Sequence, residues 1–225
     1  TAAGENRVQN GKLVLGADGT VIWDKVTGQP MNYAQPWSLV WSGTVDVTRD
    51  NPILTVGLNG GAVIVMLGKS GVSMTVDGGE VWKDALRGVT AADEWTLVIT
   101  GGQIYLRQVT WINALYPAVT LYPGPELYPS KGTQSGNLFS SEVKLAGRSI
   151  TSLTLGGVQT CDYLWVTGEV LEASVLDQIL NQDGWKPGAF SGNTLFQTDF
   201  AGGGLQAGNL AFSGTLTGFA IYRYH

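Results

Sequence analysis

The chain has 225 residues, of which only 14% are charged while 32 are glycine. Thirteen Lys and Arg against eighteen Asp and Glu give a net charge of −5, with the cations scattered singly, so a nucleic-acid partner is not expected. Cys161 is the single cysteine, which rules out an intrachain disulfide and a thiolate zinc site and fits folding in a reducing cytoplasm.

Taken in order, Thr1-Ala-Ala-Gly-Glu5 has neither the charged nor the apolar region of a signal peptide. Lys12–Leu15 and Val21–Trp23 flank Asp18-Gly19 and read as a strand pair. Ile53–Leu58 and Ala62–Leu67 are joined by Asn59-Gly60-Gly61, residues that accept the positive φ of a hairpin turn. Ala62–Leu67 is apolar throughout and predicts a strand covered on both faces. It is also the longest apolar run, far short of the roughly 20 residues that span a bilayer, so a soluble chain with no membrane partner is expected. Val72–Val76 alternates up to Asp77-Gly78-Gly79, and the chain returns through Val81 and Trp82. Trp95–Thr100 and Gln103–Val109 flank Gly101-Gly102.

Two stretches break this rhythm. Trp111–Ser130 carries Tyr116-Pro117, Tyr122-Pro123 and Tyr128-Pro129, and its prolines predict an extended loop or edge. After a strand at Tyr163–Val166, Leu171, Val175, Leu176, Ile179 and Leu180 recur at helical spacing. They predict one short helix over about 172–182, stopped by Gly184 and Pro187. Gly188–Gly192 is a plausible boundary between residues 1–190 and a C-terminal β appendage, 191–225, in which Thr194–Phe200 and Gly218–Tyr224 are the expected strands. So short and apolar a tail must dock, on its own body or on a partner. Regularly spaced hairpins with one late helix predict an all-β fold, a jelly-roll β-sandwich.

Catalytic chemistry is sparse. The nearest same-face acids, Asp46 and Asp50, lie about 13 Å apart if their segment is a strand, too far for a glycosidase pair at about 5–9.5 Å. His225 is the sole histidine and the last residue, where mobility argues against a triad or a histidine metal site. Asp77-Gly78-Gly79-Glu80 has oxygen donors for calcium but reads better as a turn, so no metal and no cofactor is expected. Gly202-Gly203-Gly204 lacks the lysine and strand-to-helix context of a phosphate loop. Trp37, Trp41, Trp95 and Trp165 fall in strand patterns and are expected in the core. Trp82, Trp111, Tyr116, Tyr122 and Tyr128 fall at turns or in the proline-rich stretch and are the candidate ligand-binding residues, since flat aromatic faces stack on sugars. The competing readings are tyrosines stacked on prolines to order a loop, and a protein–protein contact.

The succession Trp37-Ser-Leu-Val-Trp41, Ile53-Leu-Thr-Val-Gly57, Trp95-Thr-Leu-Val-Ile99, Gln103-Ile-Tyr105, Leu153-Thr-Leu-Gly-Gly157 and Asp162–Leu180 resembles the concanavalin-like, laminin-G-like jelly roll over roughly residues 8 to 185. The hydrolases of that fold place acids alternately on one strand, as Glu-x-Asp-x-x-Glu, and no such run exists here; nor can the family's calcium ligands be placed. The tail, Leu195-Phe-Gln-Thr-Asp-Phe200 through Gly218-Phe-Ala-Ile-Tyr-Arg223, resembles segments appended to modules of bacteriophage virion proteins. Together these resemblances imply a non-enzymatic structural and binding module of a phage particle, such as a head fibre, decoration protein or tail adsorption protein. It would be made in the host cytoplasm and act outside it as part of the virion. Its implied partners are other virion proteins, further copies of itself as a homo-oligomer, and a host cell-surface polysaccharide. A free carbohydrate-binding lectin and, less readily, a polysaccharide hydrolase are the alternatives.

Overall fold

The computed structural model describes residues 6–26, 28–86, 92–108, 138–181, 193–198, 200 and 210–213. The strands are β1 (Arg7–Gln9), β2 (Lys12–Leu15), β3 (Thr20–Trp23), β4 (Lys25–Val26), β5 (Gln29–Pro30), β6 (Ser38–Val45), β7 (Asn51–Leu58), β8 (Gly61–Gly68) and β9 (Gly71–Val76). They continue with β10 (Gly79–Asp84), β11 (Glu94–Thr100), β12 (Gln103–Gln108), β13 (Leu138–Glu142), β14 (Ile150–Gly156), β15 (Gln159–Thr167), β16 (Thr194–Thr198) and β17 (Leu210–Ser213). One helix, α1 (Ala173–Asn181), follows β15.

An eight-stranded sheet runs β1-β2-β15-β6-β11-β12-β13, with β16 also paired to β15. A seven-stranded sheet runs β10-β9-β8-β7-β14-β3-β17, and β4 and β5 form a small ribbon. The ladders are antiparallel, and the two large sheets pack face to face as an all-β jelly-roll sandwich. Period-2 alternation sends Leu39 and Trp41 of β6 and Leu97 and Ile99 of β11 inward from one sheet. Val56 of β7, Val63 and Val65 of β8 and Leu153 of β14 meet them from the other, all fully buried in one apolar cluster. At about 1.5–3 kcal/mol for each large side chain removed from water, this layer drives the fold.

The expected hairpins β7–β8, β9–β10 and β11–β12 are present, and β8 pairs with β9 as a further one. Gly101 and Gly102 sit at φ 54° and 80°, the left-handed pair that a two-residue turn between β11 and β12 demands. Three expectations need correction. Lys12–Leu15 and Val21–Trp23 do not pair with each other: β2 joins β15 in one sheet and β3 joins β14 in the other. Both present an inward apolar pair, Leu13 with Leu15 and Val21 with Trp23, so the chain crosses the core at the Gly16–Gly19 turn. Second, β8 is not covered on both faces. Val63, Val65 and Leu67 are buried, but Ile64 and Met66 point outward and remain partly exposed. Third, Asp46 and Asp50 lie beyond the end of β6, in the turn leading to β7, so the strand rise does not apply to them.

In the tail, β16 begins where the sequence places a strand and β17 is an unanticipated one, paired to β3. Residues 218–224 lie outside the described residues. No helix among the described residues is long and apolar enough to cross a membrane.

Candidate functional site

Outward-facing residues of the eight-stranded sheet form rows across β15, β6, β11 and β12. Trp165, Val40, Val98 and Tyr105 make one row, and Thr167, Ser38, Thr100 and Gln103 the next. The helix lies over the first. Leu176, Ile179 and Leu180, brought to one face by helical spacing, bury against Val40, Val98, Tyr163 and Trp165 together with Leu171. Glu172 opens the helix, its carbonyl accepting from the N–H groups of Val175 and Leu176 at 3.0 and 2.9 Å.

A relay of hydrogen bonds fastens the linker between β15 and α1 to the sheet. The Leu171 N–H donates to Thr100 Oγ1 at 2.9 Å. The Ser38 hydroxyl donates to the Glu169 carbonyl at 2.6 Å, which leaves the Thr100 hydroxyl to donate to Ser38 Oγ at 2.7 Å. Each hydroxyl therefore both donates and accepts, polarising the next. The start of β16 is tied to the same linker, because the Gly168 N–H donates to the Asn193 carbonyl at 2.7 Å and the Asn193 N–H to Glu169 Oε1 at 2.8 Å.

Beyond the helix, the face carries a charged cluster. Lys12 Nζ lies 2.9 and 3.0 Å from the two carboxylate oxygens of Asp162 and 3.6 Å from Glu94 Oε1. Partial burial pulls the Lys12 ammonium down, but the bond to Asp162 and the charges of Asp162 and Glu94 outweigh it, so its pKa is raised. Next to Asp162, the Tyr163 hydroxyl is held well above the ordinary phenol range by burial, opposed by its bond to Ser42. Burial likewise raises the Cys161 thiol, which faces the core and donates to the Tyr163 carbonyl at 3.4 Å. Neither group ionises near neutral pH, so this patch offers fixed charges and hydroxyls, not a nucleophile.

Of the sequence candidates, Trp82 stands in edge strand β10, its backbone in register with Met74 beyond a bulge. Trp111, Tyr116, Tyr122 and Tyr128 lie outside the described residues. Trp37, Trp41, Trp95 and Trp165 are all buried as expected. The acids singled out are engaged in turns. Asp46 Oδ1 accepts from the Thr48 N–H at 2.9 Å and from its hydroxyl at 2.6 Å, and Asp50 accepts from the Ser70 N–H and hydroxyl at 2.7 and 2.6 Å. Asp77 takes two bonds from Arg148, at 2.9 and 3.0 Å, and one from the Ala62 N–H at 3.0 Å, so its carboxylate closes a turn. These bonds are the main reason that all three carboxyls lie below their usual pKa. Among the described residues no group of three or more His, Cys, Asp or Glu could hold a metal ion. Sequence reasoning missed Lys12, Glu94 and Asp162, for Lys12 and Asp162 are 150 positions apart and meet only because β2 pairs with β15.

No protein-family model matches the chain, and no curated protein matches it. Among solved structures it is similar to a mutant of Trypanosoma rangeli sialidase displaying trans-sialidase activity, at 15% identity and a TM-score of 0.45. That match covers 80% of this chain and 30% of the other, so the chain spans less than a third of the sialidase's length.

Proposed function

We infer that the chain is a non-enzymatic structural and binding module of a bacteriophage particle, a head fibre, decoration protein or tail adsorption component, that contacts a glycan on the host surface. The observation that carries the non-enzymatic part is the composition of the eight-stranded sheet's outer face. Its central strands present Ser38, Val40, Ser42 and Thr44 from β6 and Glu94, Thr96, Val98 and Thr100 from β11, without two acids on either strand. The aliphatic positions of that face lie beneath α1, and the two nearest acids, Glu94 and Asp162, share the Lys12 ammonium. A hydrolase needs two carboxyls free to act on substrate, whereas both acids here are engaged by one lysine. The virion part is supported by the strand order of the jelly roll and by the likeness of the tail to phage modules.

Mass spectrometry of purified particles tests the assignment. The chain is expected among the virion proteins, and its absence from every particle preparation overturns the reading. A glycan array with the isolated chain tests the binding part, and specific binding lost on substituting Tyr116, Tyr122 and Tyr128 by alanine places the platform in the Tyr-Pro stretch. Release of reducing ends or unsaturated products from a host polysaccharide overturns the non-enzymatic part.

A further inference from the structure

We propose that Asn10 is a site of spontaneous deamidation in the folded protein and that Asn59, in the chain's other Asn-Gly pair, is not. The sequence holds two such pairs, Asn10-Gly11 and Asn59-Gly60. Glycine places no side chain beside its own amide nitrogen, so in an open chain both pairs react with similar ease. The glycine amide, deprotonated by hydroxide, attacks the asparagine Cγ. The Cγ–Nδ2 bond then breaks, the nitrogen leaves as ammonia with a proton from water, and a cyclic imide remains. Water opens the imide at either carbonyl, giving aspartate or isoaspartate. In sum, one amide and one water become one carboxylate and one ammonium. A difference between the two pairs in the native protein must therefore come from the fold.

Asn10 and Gly11 sit at φ 53° and 73°, a type I′ turn between β1 and β2. That conformation swings the Asn10 side chain away from the Gly11 nitrogen, so the reaction waits until the turn opens. Opening it costs little. Among the described residues β1 is the edge strand of its sheet, held to β2 by three register pairs, with Arg7 and Gln9 exposed. No described residue bonds the Asn10 side-chain amide. Asn59 is exposed as well, but it is held from outside its own hairpin. Its Oδ1 accepts from the Ser149 N–H at 2.7 Å, and its N–H donates to the Ser149 carbonyl at 3.0 Å. Asp77 backs the same turn, accepting from the Ala62 N–H at 3.0 Å and from Arg148 at 2.9 Å. The strands it joins, β7 and β8, lie inside the seven-stranded sheet between β14 and β9 and fill the core with Leu54, Val56, Val63 and Val65. Freeing the Asn59 Cγ means parting this turn from β14, an opening that belongs to the body of the sandwich. At Asn10 the product matters to the fold. Isoaspartate adds a methylene to a two-residue turn and displaces the pairing of Gln9 with Lys12, whose ammonium bonds Asp162.

Peptide mapping of the whole chain after incubation in mildly alkaline buffer tests this, because trypsin separates the two sites. Val8–Lys12 carries Asn10 alone, and Asp50–Lys69 carries Asn59 together with Asn51, whose following Pro52 has no N–H to attack with. A parallel sample in guanidinium gives the rate of each pair in the unfolded chain, and unchanged circular dichroism establishes that the first sample stays folded. In the folded protein Val8–Lys12 is expected to gain the mass of an amide-to-acid change and to split into aspartyl and isoaspartyl forms. Asp50–Lys69 is expected to convert at least about tenfold more slowly, each rate being scaled to its unfolded value. The proposal is overturned by a Val8–Lys12 peptide that stays unchanged in the folded protein while its unfolded counterpart converts. It is overturned equally by a scaled difference below about tenfold, or by fragment spectra that place the new acid at Gln9.

Discussion

Gln159 opens β15, is buried in the core between the two sheets, and bonds through both amide hydrogens and its amide oxygen. The Trp41 indole N–H donates to its Oε1 at 3.1 Å, and its Nε2 donates to the carbonyls of Ile53 at 2.8 Å and Gly156 at 2.6 Å. Ile53 falls in the bulge of β7 between Pro52 and Leu54, where the ladder to β8 skips a residue, so this side chain supplies a bond that the ladder does not. Gln159→Leu keeps most of the volume and leaves three buried polar groups without that partner. A buried group deprived of its partner costs about 1–3 kcal/mol, and the two carbonyls suffer less because each has a second lone pair. Setting the gain from burying an apolar side chain against this sum leaves a net loss of about 3–5 kcal/mol. Guanidinium unfolding should report the loss as a lower midpoint at unchanged slope, and thermal unfolding as a fall of about 6–20 °C for a chain of this size. In a Trp41→Phe background, which removes the indole donor, the cost of Gln159→Leu should shrink by about 1 kcal/mol or more. A variant within about 1 kcal/mol of wild type, or a cost unchanged by Trp41→Phe, refutes the reasoning.

Thr100→Val removes the hydroxyl between Leu171 and Ser38. It should cost about 1–2 kcal/mol and speed amide exchange at Leu171 and through α1, whereas a silent exchange profile would mean that packing alone holds the linker. The carboxyls of Asp46, Asp50 and Asp77 are depressed in the folded state, so their stabilisation is complete above the unfolded carboxyl pKa of about 3.9 and is lost as pH falls through the folded values. Asp77→Asn should therefore be less stable than wild type near neutrality and converge with it as urea midpoints are followed below about pH 4. Cys161 is fully buried with a raised pKa, so an aromatic disulfide reagent should label it only at the rate of unfolding; fast labelling of native protein would contradict the burial.

What the sequence discloses here is what local chemistry decides. Turn residues and period-2 alternation are short-range signals, and they placed the hairpins from Ile53 to Gln108; the spacing of Leu171, Leu176, Ile179 and Leu180 placed the helix within a residue or so of each end. Pairings that depend on the second sheet were not legible. Lys12–Leu15 and Val21–Trp23 look like a hairpin because both alternate around a turn, and nothing local says that their inward faces serve opposite sheets. Val45-Asp-Val47 also alternates like a strand, but the Asp46 carboxylate captures the Thr48 N–H, a local bond that competes with the ladder and ends β6. The apolar run in β8 predicts burial on both faces, yet Ile64 and Met66 of its outward half are only partly buried. The charged cluster was invisible for a different reason: Lys12, Glu94 and Asp162 come from three strands that are distant in sequence.

The described start of the tail docks on the body of the sandwich. Twelve residues separate α1 from β16, which runs alongside β15, where Phe196 packs edge-on to Trp23 with ring centroids 5.7 Å apart, and Phe200 is buried in the same cluster. The body depends on it in turn. The Trp165 indole N–H donates to Thr194 Oγ1 at 3.0 Å, and the Tyr33 hydroxyl to the Leu195 carbonyl at 2.9 Å, so the first residues of the strand satisfy donors of the sandwich. Dependence in both directions means that cutting before Asn193 would remove core and hydrogen-bond partners together, and a failure of that truncation to fold would not separate them. Phe196→Ala does, because it deletes the ring and keeps the backbone bonds of β16. A buried phenylalanine reduced to alanine costs about 3–5 kcal/mol where the site cannot collapse. With the strand still paired, amide exchange across Leu164–Val166 should stay near wild type relative to the lowered global stability. A cost below about 1 kcal/mol would mean that β16 rests on the sandwich without completing its core.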